Sequence, residues 1–247
     1  MNYVEYGKIN KDKIILLHGG GFSWWNYREI AEKLSEDYYV ILPILDGHAG
    51  SDNDFSTIEK NAERIISFID EQCGGSVLLI GGLSLGGQIL LEILSQRKDI
   101  CKYALVESAL VIPSKLTYAM IQLTFGSCYG LIRQRWFAKL QFQSYRLKEE
   151  LFEDYYRDTC KISKENLIAF MKENTMYSIK ASLKDSHAKI YVIVGEKENK
   201  VMRKSANIIH ETLIGSSLEV LPGMYHGQFS MNYADDYAKK VMLICVA

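Results

Sequence analysis

The stretch Val77 to Gln88, V-L-L-I-G-G-L-S-L-G-G-Q, leaves the chain few ways to fold. Its apolar run, Val77 to Ile80, has the length and composition of a buried strand and stops at two glycines. Ser84 follows, with Gly82 two residues before it and Gly86 two residues after it. From Gln88 onward the polarity is helical rather than alternating. The order is therefore strand, sharp turn, helix, with Ser84 at the apex. The turn is so tight that a Cβ on either flanking position would collide with the neighbouring strand or helix. Leu85 opens the helix, so its backbone N–H lacks an intrahelical acceptor and can face an anion. Two readings fit: an ordinary glycine-rich turn, or a nucleophile elbow that holds the serine hydroxyl out above the sheet.

Similar units recur along the chain. Asn2 to Tyr6 is a short candidate edge strand, and Lys13 to Leu17 a buried one that runs into His18-Gly19-Gly20-Gly21-Phe22. Ser23 is the expected N-cap of the next helix, whose stripe is Trp25, Tyr27, Ile30, Ala31 and Leu34. Tyr38 to Ile44 forms a strand ending in D-G-H-A-G-S-D, and a helix over 58–73 follows. After the elbow, strands are expected over 102–106, 188–194 and 217–221, with helices over 201–213 and 232–244. Between Pro113 and Asp185 the rhythm changes to helical stripes over 116–125, 131–142, 149–160 and 164–176. No Pro/Gly/Ser linker bounds this block, so it reads as an insertion standing over the sheet. The expected organisation is an α/β core of residues 1–112 and 186–247, with residues 113–185 as a helical cap. Strands alternating with helices imply right-handed crossovers and a mostly parallel sheet covered on both faces.

Parallel strands deliver their following loops to one edge of the sheet. The loops after Leu17, Ile80, Val194 and Leu221 carry the glycine triplet, Ser84, the glutamates Glu196 and Glu198, and His226. A serine hydroxyl needs an adjacent imidazole to take its proton, and that imidazole needs a carboxylate to fix its tautomer. Backbone amides of the triplet and of Leu85 are available for an oxyanion. The chain order is serine, acid, histidine.

These stretches together, H-G-G-G-F, D-G-H-A-G-S-D, G-L-S-L-G-G, G-E-K-E and G-M-Y-H-G, resemble the α/β-hydrolase fold superfamily, in its small form with a helical cap. The resemblance implies Ser84 as nucleophile and His226 as general base. It implies an oxyanion hole from the amides of Gly20 and Leu85, with Gly21 close by. Members of the superfamily usually carry Asp where Glu198 stands; Glu198 is the expected acid, with Glu107 at the end of the preceding strand and Glu196 as rivals. The serine at the apex sets the chain apart from the branches that place Asp there. The implied reaction is acyl transfer to water. Carboxylic esters of small to medium acyl groups come first, with thioesters, lactones, amides and carbon–carbon bonds as alternatives. A small-molecule receptor on the same scaffold is the reading from a different class.

The remaining signals are exclusions. Net charge is −1, which provides no field for nucleic acid or an anionic membrane. No apolar run approaches the roughly 20 residues that cross a bilayer. The N-terminus lacks a basic segment followed by an apolar core, and five cysteines are scattered without C-x-x-C spacing. A cytoplasmic protein with reduced, mostly buried thiols is expected. The histidines lack metal-ligand spacing and the glycines form neither a dinucleotide fingerprint nor a P-loop, so no metal and no cofactor are expected. His18 and His48 read as loop-shaping residues. The cations of the helical block read as solvated faces among their acidic neighbours, and its apolar residues as buried, with no long stripe left exposed.

Overall fold

β-branched and leucine-rich runs supply the strands and periodic apolar stripes the helices of a computed structural model that describes residues 1–246, with Cys128 described in its backbone only. In chain order the elements are β1 (Tyr3–Tyr6), β2 (Lys13–Leu17), α1 (Arg28–Leu34), β3 (Tyr39–Pro43) and α2 (Ile58–Cys73). Next come β4 (Val77–Leu83), α3 (Leu85–Gln96) and β5 (Cys101–Glu107). The helical block contains α4 (Lys115–Ile132), α5 (Arg135–Ser144), α6 (Phe152–Thr159) and α7 (Lys164–Met176). The chain closes with β6 (Lys189–Gly195), α8 (Lys200–Thr212), β7 (Ser217–Leu221), α9 (Gln228–Asn232) and α10 (Ala234–Cys245).

The seven strands form one sheet in the order β1-β3-β2-β4-β5-β6-β7. Only β1 runs antiparallel, pairing with β3 at the edge; the others are parallel. Alternation along β2 and β3 divides the core in two. Ile14, Leu16, Val40 and Leu42 pack with Ile30 and Leu34 of α1 and Tyr237 and Val241 of α10. Ile15, Leu17, Tyr39 and Ile41 pack on the opposite face with Ile65 and Ile69 of α2 and Ile89 and Ile93 of α3. Burying both faces ties the strand register to the core, because a slip of one residue would exchange the two sets.

Several local expectations are corrected. Ser23 stands before a 3-10 turn over Trp24–Tyr27 and does not cap it; its hydroxyl donates to the Ala49 carbonyl at 3.3 Å. The first helix of the block runs unbroken from Lys115 to Ile132, through Gly126 and Gly130. The expected last helix forms as α10, and a short helix that was not expected, α9, precedes it. Leu116, Met120 and Leu123 of α4 and Trp136 and Leu140 of α5 are exposed, so the block does present an apolar stripe to solvent. Its cations behave as expected: Arg135 pairs with Glu153, Lys139 with Glu149, and Arg157 with Asp154 and Asp158. Cys73 and Cys101 are buried free thiols and Cys160 and Cys245 half-buried ones; the Cys128 thiol lies outside the described residues. Among the described residues no helix is long and apolar enough to cross a membrane.

Polar contacts tie the block to the sheet's carboxyl edge. The Trp25 indole donates to Asp158 at 2.9 Å and Arg28 pairs with Asp154 at 2.9 Å. Gln88, in the first turn of α3, is fully buried; its amide nitrogen donates to the carbonyls of Leu110 at 2.7 Å and Asn174 at 2.8 Å. These bonds satisfy backbone ends on both sides of the block's attachment.

Candidate active site

Ser84 is held at the apex by sterics. Its backbone has φ 54° and ψ −111°, a strained conformation for a residue with a side chain. A Cβ on Gly82 would lie 2.4 Å from the Gly86 carbonyl oxygen, and one on Gly86 would lie 2.1 Å from that of Leu17. Only glycine lets helix α3 start this close to β2 and β4. The Ser84 amide donates to the Glu107 carbonyl at 2.8 Å, which fixes the turn to the neighbouring strand.

The loops after β6 and β7 meet because Gly195 has no side chain: a Cβ there would lie 2.3 Å from the Met224 carbonyl oxygen. This close approach brings Glu198 to His226, whose Nδ1 lies 2.8 Å from Glu198 Oε2. The other carboxylate oxygen accepts from the Ser108 hydroxyl at 2.7 Å and the Gly195 amide at 2.8 Å. Burial pushes the Glu198 carboxyl up, but the bonds from His226, Ser108 and Gly195 outweigh it and hold the group below its ordinary value. An ionised carboxylate only accepts, so Nδ1 of His226 donates to it, and in the neutral imidazole Nε2 is the nitrogen left to accept a proton. The Glu198 side chain is 1% exposed, whereas that of His226 is 43% exposed and reachable from outside. Ser84, His226, Gly19, Gly20 and Tyr145 line one cavity of about 100 Å³.

The glycine triplet is organised by side chains from other loops. Gly19 donates to Asn26 Oδ1 at 3.1 Å and Gly21 to His48 Nε2 at 3.0 Å. Between them, the Gly20 amide has no acceptor among the described residues, and the position of its absent Cβ is 3.5 Å from Leu85 Cβ. Both histidines beside this loop are held neutral. His48 is buried, stacks on Phe170 at 4.7 Å, and is pushed down to about 4 by desolvation. His18 is lowered well below its ordinary value, again by burial first and then by His48. Each accepts a backbone N–H at Nε2, His48 from Gly21 and His18 from Leu45 at 3.1 Å, so each carries its proton on Nδ1.

Glu107 and Glu196 stand elsewhere. Glu107 is buried behind the site, where Oε1 accepts the Ser230 amide at 3.3 Å and Oε2 has no partner. Desolvation pushes its carboxyl up to about 7. Glu196 accepts the Gly223 amide at 2.8 Å. Ser108 and Asn26 were not singled out from the sequence, and Gly195 was read only as the first residue of G-E-K-E; their roles depend on strand order and loop contact, which no local pattern carries. Among the described residues no group of three or more His, Cys, Asp or Glu is placed to hold a metal ion.

A model of the Alpha/beta hydrolase family matches residues 14–240. The chain belongs to that family. Within it, the chain is 31% identical to Lipase 1 of Psychrobacter immobilis over 113 residues, which are 44% of this chain and 35% of the lipase. It is 27% identical over 118 residues to a thermostable monoacylglycerol lipase of Bacillus sp. (strain H-257), 45% of each chain. The matched stretch thus spans less than half the length of these relatives. Among solved structures, an esterase from Exiguobacterium antarcticum superposes with a TM-score of 0.84 at 17% identity, covering 99% of this chain and 95% of that one. That likeness concerns the alpha/beta hydrolase fold alone.

Proposed function

We propose that the protein is a serine hydrolase that cleaves carboxylic esters of small to medium acyl groups through an acyl-enzyme. The observation that carries this reading is the 2.8 Å contact of Glu198 with His226 beside a cavity that Ser84 also lines. In the proposed reaction, Nε2 of His226 takes the Ser84 hydroxyl proton as Oγ attacks the ester carbonyl carbon. Glu198 stabilises the imidazolium that forms. The carbonyl oxygen, now an anion, accepts from the amides of Gly20 and Leu85; a donor of this kind is worth about 3 to 4 kcal/mol in the transition state. Collapse of the tetrahedral intermediate breaks the bond to the alcohol, which leaves with the proton from His226. Water, deprotonated by the same imidazole, then attacks the acyl carbon and releases the acid and Ser84.

Residues 113–185 act in this scheme as a cap. Phe125 and Tyr129 of this block face a second cavity beside the first, while Tyr118, Met120 and Trp136 are exposed. Gly21 also faces that second cavity, its amide committed to His48, which suits substrate binding rather than oxyanion binding. The test is a panel of p-nitrophenyl esters of increasing chain length, with fluorophosphonate labelling. Turnover highest for short to medium chains, with label on Ser84 that Ser84→Ala abolishes, supports the proposal. Label without turnover would point to a receptor, and faster cleavage of thioesters or lactones to one of the alternative hydrolases.

A further inference from the structure

The second cavity, about 90 Å³, lies between the glycine triplet and the helical block and shares Gly20, Phe22 and Tyr145 with the Ser84 cavity. Most of its wall is apolar, with Ile132, Ile162, Leu167 and Met171 among the lining residues. Two polar atoms interrupt that wall. Thr159, at the end of α6, is 8% exposed; its hydroxyl lies beside that of Tyr155 but makes no hydrogen bond within 3.5 Å among the described residues. Gln141, on α5, donates its amide nitrogen to the Tyr145 hydroxyl at 3.2 Å, and its Oε1 is buried without a partner among the described residues. Buried polar groups are seldom left unsatisfied, and those that are need an explanation such as a ligand. An amide oxygen only accepts, whereas a hydroxyl both donates and accepts. The group that answers both is an alcohol.

Resting on the ester-hydrolase reading, we infer that this cavity selects substrates whose entering chain ends in a hydroxyl group, seated between Gln141 Oε1 and Thr159 Oγ1. The apolar wall takes the carbons between that hydroxyl and the scissile ester. The chain enters through the wall shared at Gly20, Phe22 and Tyr145, and it belongs either to the acyl group or to the alcohol. A plain alkyl chain of the same length fills the same space but leaves both polar atoms unpartnered, and a site built to hydrogen-bond a hydroxyl discriminates against such an analogue.

The test compares esters that differ by exchange of a terminal methyl for hydroxyl. On the acyl side these are p-nitrophenyl octanoate and its 7-hydroxyheptanoate counterpart, which does not close readily to a lactone. On the alcohol side they are pentyl acetate and the monoacetate of butane-1,4-diol. The expected result is a kcat/KM about tenfold higher for the hydroxylated member of one pair, which also identifies the side that enters. Thr159→Val and Gln141→Leu should each bring that ratio towards one. Ratios near one for both pairs, with esters still turned over, would overturn the hydroxyl site and leave the ester-hydrolase reading standing; the two polar atoms would then be served by water. If no ester is turned over, that reading fails and calorimetry decides the site separately. Ser84→Ala protein should bind 7-hydroxyheptanoic acid about tenfold more tightly than octanoic acid, and equal binding would overturn the site.

Discussion

Glu107 ends β5 and Glu198 stands in the loop just after the adjacent strand β6, yet only Glu198 reaches His226, with Oε2 at 2.8 Å from Nδ1. Glu107 turns to the Ser230 amide behind the site. The two carboxylates therefore separate by experiment. In Glu198→Gln, the amide oxygen can still accept from Ser108 and Gly195, which turns its NH2 toward His226. Nδ1 must then accept, the proton moves to Nε2, and the imidazole can no longer take a proton from Ser84. The expected loss in kcat is about 10⁴-fold, with unchanged folding by circular dichroism. Glu107→Gln should stay within a few fold of the parent. The reverse pattern would transfer the role of acid to Glu107.

Glu107 has a different signature, in stability. Its carboxyl, pushed up to about 7 from 4.5 by burial, holds a proton in the folded protein where the unfolded chain has lost it. Between pH 4.5 and 7 the folded state binds the extra proton, so this group's contribution to stability falls as pH rises through that window. Glu107→Gln removes the dependence. Relative to the parent, the variant should gain about 3 kcal/mol between pH 4.5 and pH 8, read from denaturant midpoints at both pH values. An equal difference at both would mean that Glu107 titrates normally.

The fold was legible where pattern and burial agree. The run over 77–80 and the helix over 58–73 needed nothing beyond periodicity, and the elbow glycines announced a close approach of backbones. Three glutamates could be named as acids, with Glu198 expected from the resemblance; that Glu198 lies against His226 depends on Gly195 admitting the β7 loop, which chain position does not carry. Ser108 carried no signal, since its donation to Glu198 joins residues ninety apart in sequence. In the helical block the stripes over 116–125 and 131–142 left a gap that holds Gly126 and Gly130. The helix continues because α4 packs along α7 and tertiary contact outweighs the cost of glycine.

His48 holds the loop whose neighbouring amide is proposed for the oxyanion. It accepts the Gly21 N–H at 3.0 Å and its Nδ1 donates to the Asp46 carbonyl at 3.0 Å. His48→Phe keeps the stacking on Phe170 and removes the acceptor. Turnover should fall about tenfold through kcat with little change in KM, since misplacing one donor weakens the transition state more than the ground state. The same variant changes acid behaviour. His48 is depressed to about 4 from 6.5, so the unfolded chain takes the proton first and stability is lost as pH falls from 6.5 towards 4. His48→Phe should lose less stability than the parent over that window, whatever its stability at pH 7. An unchanged kcat would mean that the Gly20 amide is positioned without His48.

The glycines of the chain divide into two opposite predictions. Gly86 cannot accept a methyl group, because the atom in the way is the Leu17 backbone carbonyl at 2.1 Å, which cannot swing aside. Gly86→Ala should displace α3 from β2 and cost more than about 3 kcal/mol, in the range of overpacked cores, with loss of soluble protein or a steep fall in Tm. Among the described residues, Gly130 lies inside α4 with nothing within 4 Å of an added Cβ, and at Gly126 the nearest atom is the flexible end of Gln122 at 3.9 Å. Alanine at either position removes backbone freedom from the unfolded chain without a clash. Each substitution should add about 0.5 to 1 kcal/mol, and the pair should raise the Tm together. Destabilisation by Gly130→Ala would show that α4 must bend or open there, and that its uninterrupted helix is one of two states.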